Sequence, residues 1–190
     1  MNLQHVVITS VNRDDRPDGG SPIFAMVIRR IRQLQPGCSI EVLIPDFKGQ
    51  KENIERIVAA APEVVSHNIE TVERLTRQVR IQAKYWRSME VISTLKKGGM
   101  RTKSGIMLGL GETKEEVVQT MKDLANAGCD VVTIGQYLQP TKRHLPVQRF
   151  VHPDEFAEYT RLADELGFKH AACGPLVRSS YHADKQAHGE

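Results

Sequence analysis

The sequence is short of cysteine, of long apolar runs and of clustered charge, and each shortage excludes a class of protein. Three cysteines, Cys38, Cys129 and Cys173, lie far apart in 190 residues with no CxxC or CxxxC pair. That excludes a disulfide framework and a local metal knuckle, and reads them as separate half-buried thiols. No apolar run is long enough to cross a bilayer, and the first residues, MNLQHVVITS, lack the basic flank and small-residue cleavage site of a secretory signal. The expectation is a cytoplasmic chain that engages no membrane. The net charge of +3 is spread along the chain, which suits an acidic protein partner and forms no cluster of the nucleic-acid kind. Neither a P-loop nor a complete dinucleotide fingerprint is present.

What is there is one domain's worth of core, 40% hydrophobic residues in a patterned order. Short β-branched runs alternate with longer amphipathic stretches. Residues 5–11 (HVVITSV) have strand length, and residues 23–34 follow with helical spacing of Phe24, Val27, Ile28, Ile31 and Leu34. The unit recurs as 40–44 before 52–60, Val64 and Val65 before a stretch 70–75, 104–110 before 114–127, and 131–134 before 154–166. Residues 86–96 predict a further helix, stopped by Gly98 and Gly99, and 169–172 a last short run. Thr113 with Glu116 has capping-box spacing, and Gly128 and Gly167 stand where helices should stop. Strands alternating with helices imply parallel strands and right-handed crossovers, an α/β architecture that an open sheet or a barrel would satisfy.

Polar clusters follow the strands: Asn12-Arg13-Asp14, Asp46, His67-Asn68, 109–112 and Gln136-Tyr137. In a parallel sheet they gather at the carboxyl edge, where such proteins build their sites. Each has an ordinary reading: a solvated turn with a local ion pair for 12–15, a satisfied structural histidine for His67, a strand-to-helix turn for Gly109 and Gly111. Five clusters on one rim favour a small-molecule or cofactor site. The chain ends in GPLVRSSYHAD (174–184), a densely polar segment that reads as a lid over that rim.

The strings TSVNRDD (9–15), DGG (18–20), EVLIPDF (41–47), HNIETV (67–72), TKSGIMLGLGET (102–113), TIGQYLQP (133–140), HLPV (144–147) and GPLVRSSYHA (174–183) resemble, in order, the lipoyl synthase family of radical S-adenosylmethionine (SAM) enzymes. The resemblance implies a partial (β/α) TIM-like barrel of the radical SAM type over 1–173, its first strand missing, closed by the RSSY tail of 174–190. It also implies an enzyme that inserts two sulfur atoms at C6 and C8 of a protein-bound octanoyl-lysine. Two 4Fe-4S clusters serve that family, one cleaving SAM and the other supplying sulfur. Its partners are octanoylated lipoyl carrier domains of 2-oxoacid dehydrogenase E2 subunits and of the glycine cleavage H protein.

The family's CxxxxCxxxxxC and CxxxCxxC motifs precede TSVNRDD, and neither occurs in this sequence. Iron-sulfur clusters need thiolates, so the expectation is a C-terminal portion, paired with a missing N-terminal half or incompetent alone. A carrier-domain binding module without catalysis and an inert remnant are the alternatives. By position in the motifs, Ser180 is implied as an oxygen ligand of the auxiliary cluster, with Arg178 supporting it through charge-assisted hydrogen bonds. Asn12, Arg13, Asn68 and Glu70 are implied to bind SAM and the substrate-lysine region, as are Lys103 and Gln136. These are binding roles, because the reactive species belongs to the cofactor.

Overall fold

The computed structural model describes residues 3–181, 183 and 184; residues 182 and 185–190 of the expected tail lie outside the described residues. Six parallel strands run in the order β1 to β6: β1 (His5–Thr9), β2 (Ser39–Leu43), β3 (Val64–Ser66), β4 (Arg101–Leu108), β5 (Val131–Gln136) and β6 (His170–Gly174). Sequential order without a reversal is the winding of a barrel wall and not of an open doubly wound sheet, which reverses at a switch point. The helices are α1 (Ser21–Leu34), α2 (Lys51–Ala60), α3 (Glu73–Val79), α4 (Tyr85–Lys97), α5 (Lys114–Asn126) and α6 (Pro153–Glu165), with a 3-10 turn at Phe47–Gly49.

Partners in register point to the same side of a parallel sheet, so the strands sort into two faces. The outer face is apolar. Ile40, Val42 and Val65 meet Phe24, Ile28, Ile54, Ile57 and Leu95 from α1, α2 and α4. Ile106, Leu108, Val132 and Ile134 meet Met121, Leu124, Phe156 and Tyr159 from α5 and α6. Each such side chain contributes about 1.5–3 kcal/mol when fully buried, so this layer carries the stability. The inner face holds Glu41, Ser66, Lys103, Gly105, Thr133 and Gly135, linked by the registers Ser66 to Lys103, Lys103 to Val131 and Gly105 to Thr133.

Most strand bounds shift by one or two residues from the sequence pattern, and two larger departures have a clear physical cause. β4 begins at Arg101 and not at residue 104, because Arg101, Thr102 and Lys103 pair with β3 while Lys103 points into the polar interior and hides the apolar signal. Glu70, expected within a helical stretch, instead bridges Ile106. Its N–H donates to the Gly105 carbonyl at 2.9 Å and its carbonyl accepts from Met107 at 2.8 Å. That sheet pairing wins over helix propensity and delays α3 to Glu73. The expected capping box of α5 forms completely: Thr113 Oγ1 accepts from the Glu116 amide at 3.3 Å, and Glu116 accepts from the Thr113 amide at 2.8 Å.

Candidate functional site

The carboxyl end of β3 supplies the centre of the site. His67 is held by both ring nitrogens, Nδ1 against the Ile44 carbonyl and Nε2 against the Ser88 hydroxyl, each at 2.9 Å. Burial pushes its pKa down to about 4, so the imidazole is a neutral structural group. The next residue turns inward. A side chain added at Gly105 would come within 3.0 Å of Asn68 Oδ1 and 2.9 Å of Thr133 Oγ1, which places Asn68 across the inner wall where only glycine leaves room. Asn68 Oδ1 is buried and, among the described residues, accepts no hydrogen bond.

Glu70 stands beside it with φ 66, a left-handed conformation that costs a non-glycine residue about 1–3 kcal/mol and concentrates at functional positions. Burial raises its carboxyl pKa, while a hydrogen bond from Asn68 and the charge of Arg80 oppose the rise. Arg80 donates from Nη1 to the Asn68 carbonyl at 2.8 Å. It also lines an open cleft of about 720 Å³ together with Asn12, Asp46, Lys48 and Arg87. Asp46 is fixed there by Arg87 at 3.0 Å. Arg80, a residue that carries no motif in the sequence, therefore links Asn68 and Glu70 to the cleft that Asn12 also lines.

The other expected binding residues are engaged in bonds of their own. Arg13 forms a bidentate pair with Asp15 at 2.7 and 2.8 Å on an exposed loop, the local ion pair that its sequence context also allowed. Lys103 is wholly buried below the rim and bonded to Glu41. Gln136 spends its amide on the backbone, donating to the Tyr137 and Arg149 carbonyls and accepting from the Val151 N–H at 2.9 Å. It thereby pins the loop after β5. Glu112 acts in a similar way on the turn after β4. Its buried carboxylate accepts from the Gly109 and Leu110 amides at 2.6 and 2.9 Å and fixes that turn. Gly109 is required there, since φ is 101 and a side chain would collide with the Gln136 amide.

The tail returns over the inner face. A side chain at Gly135 would collide with the Val177 carbonyl oxygen and approach Arg178 Nη1, so residues 177 and 178 cross the open face of β5. Val177 is buried, whereas Arg178 and Ser180 are exposed on successive turns. Arg178 Nη1 donates to the Val177 carbonyl at 2.6 Å.

The thiols do not fit a 4Fe-4S cluster. Cys38 and Cys129 are buried, their Sγ atoms donating to the carbonyls of Ser39 and Val131. Burial raises Cys129 to about 12 and Cys173 to about 11, which keeps both protonated where a cluster needs thiolate. Among the described residues no three His, Cys, Asp or Glu side chains gather as metal ligands, and no helix is long and apolar enough to cross a membrane.

Comparison with known proteins converges on one group. The model of the radical SAM superfamily matches residues 1–124. The lipoyl synthase of Flavobacterium johnsoniae is 64% identical over 186 residues, covering 97% of this chain and 65% of that protein. The mitochondrial lipoyl synthase of Nematostella vectensis is 58% identical over 189 residues, covering 99% of this chain and 65% of its own. The chain thus spans about two thirds of the length of these relatives. In three dimensions it is similar to methylornithine synthase, with a TM-score of 0.68 at 15% identity, covering 89% of this chain and 50% of that one. At that identity the likeness bears on the fold alone.

Proposed function

Because this chain belongs to the radical SAM superfamily and, within it, to the lipoyl synthase family, we propose that it forms the SAM- and substrate-binding wall of a lipoyl synthase. The overall reaction is insertion of two sulfur atoms at C6 and C8 of an octanoyl chain carried on a lysine of a lipoyl domain. The observation that carries this reading is the conjunction of 64% identity over nearly the whole chain with a polar inner wall at the carboxyl edge. There Asn68 and Glu70 offer an amide and a carboxylate beside the gap at Gly105. Such a pair suits the hydroxyls of a ribose and the amino group of a methionine moiety. Asn12 extends the wall into the cleft, where an acyl-lysine arm has room.

In this reading the carboxyl-terminal tail, which crosses β5 at Val177 and Arg178 and exposes Arg178 and Ser180, closes over a ligand seated on the wall. The thiolates for any iron-sulfur cluster come from outside the described residues, since the three cysteines stand apart, Cys38 and Cys129 are buried, and burial holds the Cys129 and Cys173 thiols protonated. Under this reading the chain binds but does not turn over by itself. A second reading, a carrier-domain binding module, is favoured by that same mismatch of the thiols.

The test is anaerobic reconstitution of the chain with iron and sulfide, alone and mixed with the cysteine-bearing segment of a relative. Bound iron and 5'-deoxyadenosine release are then measured. The expected outcome is neither signal from the chain alone and both from the mixture. A stoichiometric cluster on the chain alone would sink the binding-wall reading. Tight binding of octanoylated carrier domain by the iron-free chain, with no turnover in the mixture, would select the second.

A further inference from the structure

Arg80 closes α3 and belongs to no catalytic motif, yet it reaches three parts of the wall. Its Nη1 holds the Asn68 carbonyl at 2.8 Å. Its charge pulls on the carboxylates of Glu70 and Asp46. Its side chain faces the cleft beside Asn12 and Arg87. The segment it grips is one that would not keep its shape unaided: Glu70 is left-handed at φ 66, and strain of that kind persists only where neighbours over-determine it. The sheet supplies two restraints, from Gly105 to the Glu70 N–H and from the Glu70 carbonyl to Met107. Neither acts on Asn68, whose carbonyl is bonded by Arg80.

We propose that Arg80 is a positioning residue of the site. By clamping the Asn68 carbonyl and setting a positive charge beside Glu70, it holds the amide and the carboxylate in the attitude from which they bind. The inference rests on the reading of Asn68 and Glu70 as SAM-binding groups. Arg80 and the Asn68 amide are the groups that act on Glu70; Asp46 pulls on Arg80 in turn. His67, adjacent in the chain, is buried and neutral.

Hydrogen exchange on the full chain tests the clamp without any ligand. Arg80→Met should speed exchange of the Glu70 and Met107 amides about tenfold, while the β5 amides and the thermal midpoint stay close to wild type. Arg80→Lys, which keeps a donor and a charge, should stay within about twofold of wild type. Unchanged exchange in Arg80→Met, or an equal rise across the whole sheet, overturns the proposal.

SAM titration of the chain combined with the cysteine-bearing segment tests the consequence. Affinity in Arg80→Met should fall about tenfold, the worth of one charge-assisted hydrogen bond. It should weaken further as pH drops, because burial already raises the Glu70 carboxyl and the opposing charge is gone. Adding Glu70→Gln should abolish that pH dependence. If wild-type protein binds no SAM, the binding reading fails while the exchange result still decides the clamp.

Discussion

Glu41 and Lys103 meet inside the barrel wall from β2 and β4, bridging the strand between them, with Nζ 3.0 Å from Oε1 and 3.2 Å from Oε2. Both side chains are closed to solvent, at 1% and 0% exposure. Burial raises the glutamate's pKa and lowers the lysine's, and each partner offsets the other's shift. The pair is therefore a mutual necessity and not a gain in its own right, since desolvation consumes most of the attraction.

Breaking it from one side should be costly. Lys103→Met leaves a buried carboxylate alone, and the loss expected in urea unfolding is about 3–5 kcal/mol. The double variant Glu41→Leu with Lys103→Met should recover most of that loss. A single variant within about 1 kcal/mol of wild type would mean that water reaches the pair.

Asp130 controls acid stability at the amino end of β5. Burial pushes its carboxyl up, but hydrogen bonds from Lys169, Lys96 and the Thr102 amide outweigh burial and bring it down to about 2 from 3.8. The folded value lies below the unfolded one, so the contribution is present above about 3.8 and disappears as pH falls toward about 2. With the lysine ends partly in solvent it amounts to about 1–2 kcal/mol. Asp130→Asn should be less stable than wild type at about pH 7, and the difference should close in unfolding curves taken near pH 2. A constant difference across that range would assign the loss to packing.

Gly135 decides whether the tail can lie down. Alanine at this position would put a methyl group into the Val177 carbonyl, and overpacking of this kind costs about 1–3 kcal/mol. Gly135→Ala should leave the barrel wall folded and lift the tail, seen as faster proteolysis near residue 178. A tail cleaved no faster than in wild type would show that Val177 can shift without leaving β5.

Much of this architecture was legible from the chain. The capping box at Thr113 and Glu116 formed as its spacing required, because N-terminal caps are local and need no tertiary partner. Asn12 and Asn68 could be assigned to one rim because parallel strands bring their carboxyl ends together, whereas Glu70 read as the start of a helix and only its bridge to Ile106 puts it there. The first half of β4 was not legible: Arg101 and Lys103 read as loop residues, and only a polar barrel interior makes them strand residues. Arg80 carried no signal at all, because its role depends on how far a long side chain reaches from the end of α3.

The alternation of apolar runs, the helix stops and the ordered motifs by themselves determined an α/β chain of the radical SAM superfamily. Local propensity and periodicity act over a few residues and survive without the rest of the fold. The tertiary structure alone decided which polar residues turn inward together. Glu41 and Lys103 are 62 residues apart, Gly105 and Asn68 touch across two strands, and Val177 crosses Gly135. Such contacts are set by strand register and by the exclusion of water, neither of which is written in any single segment.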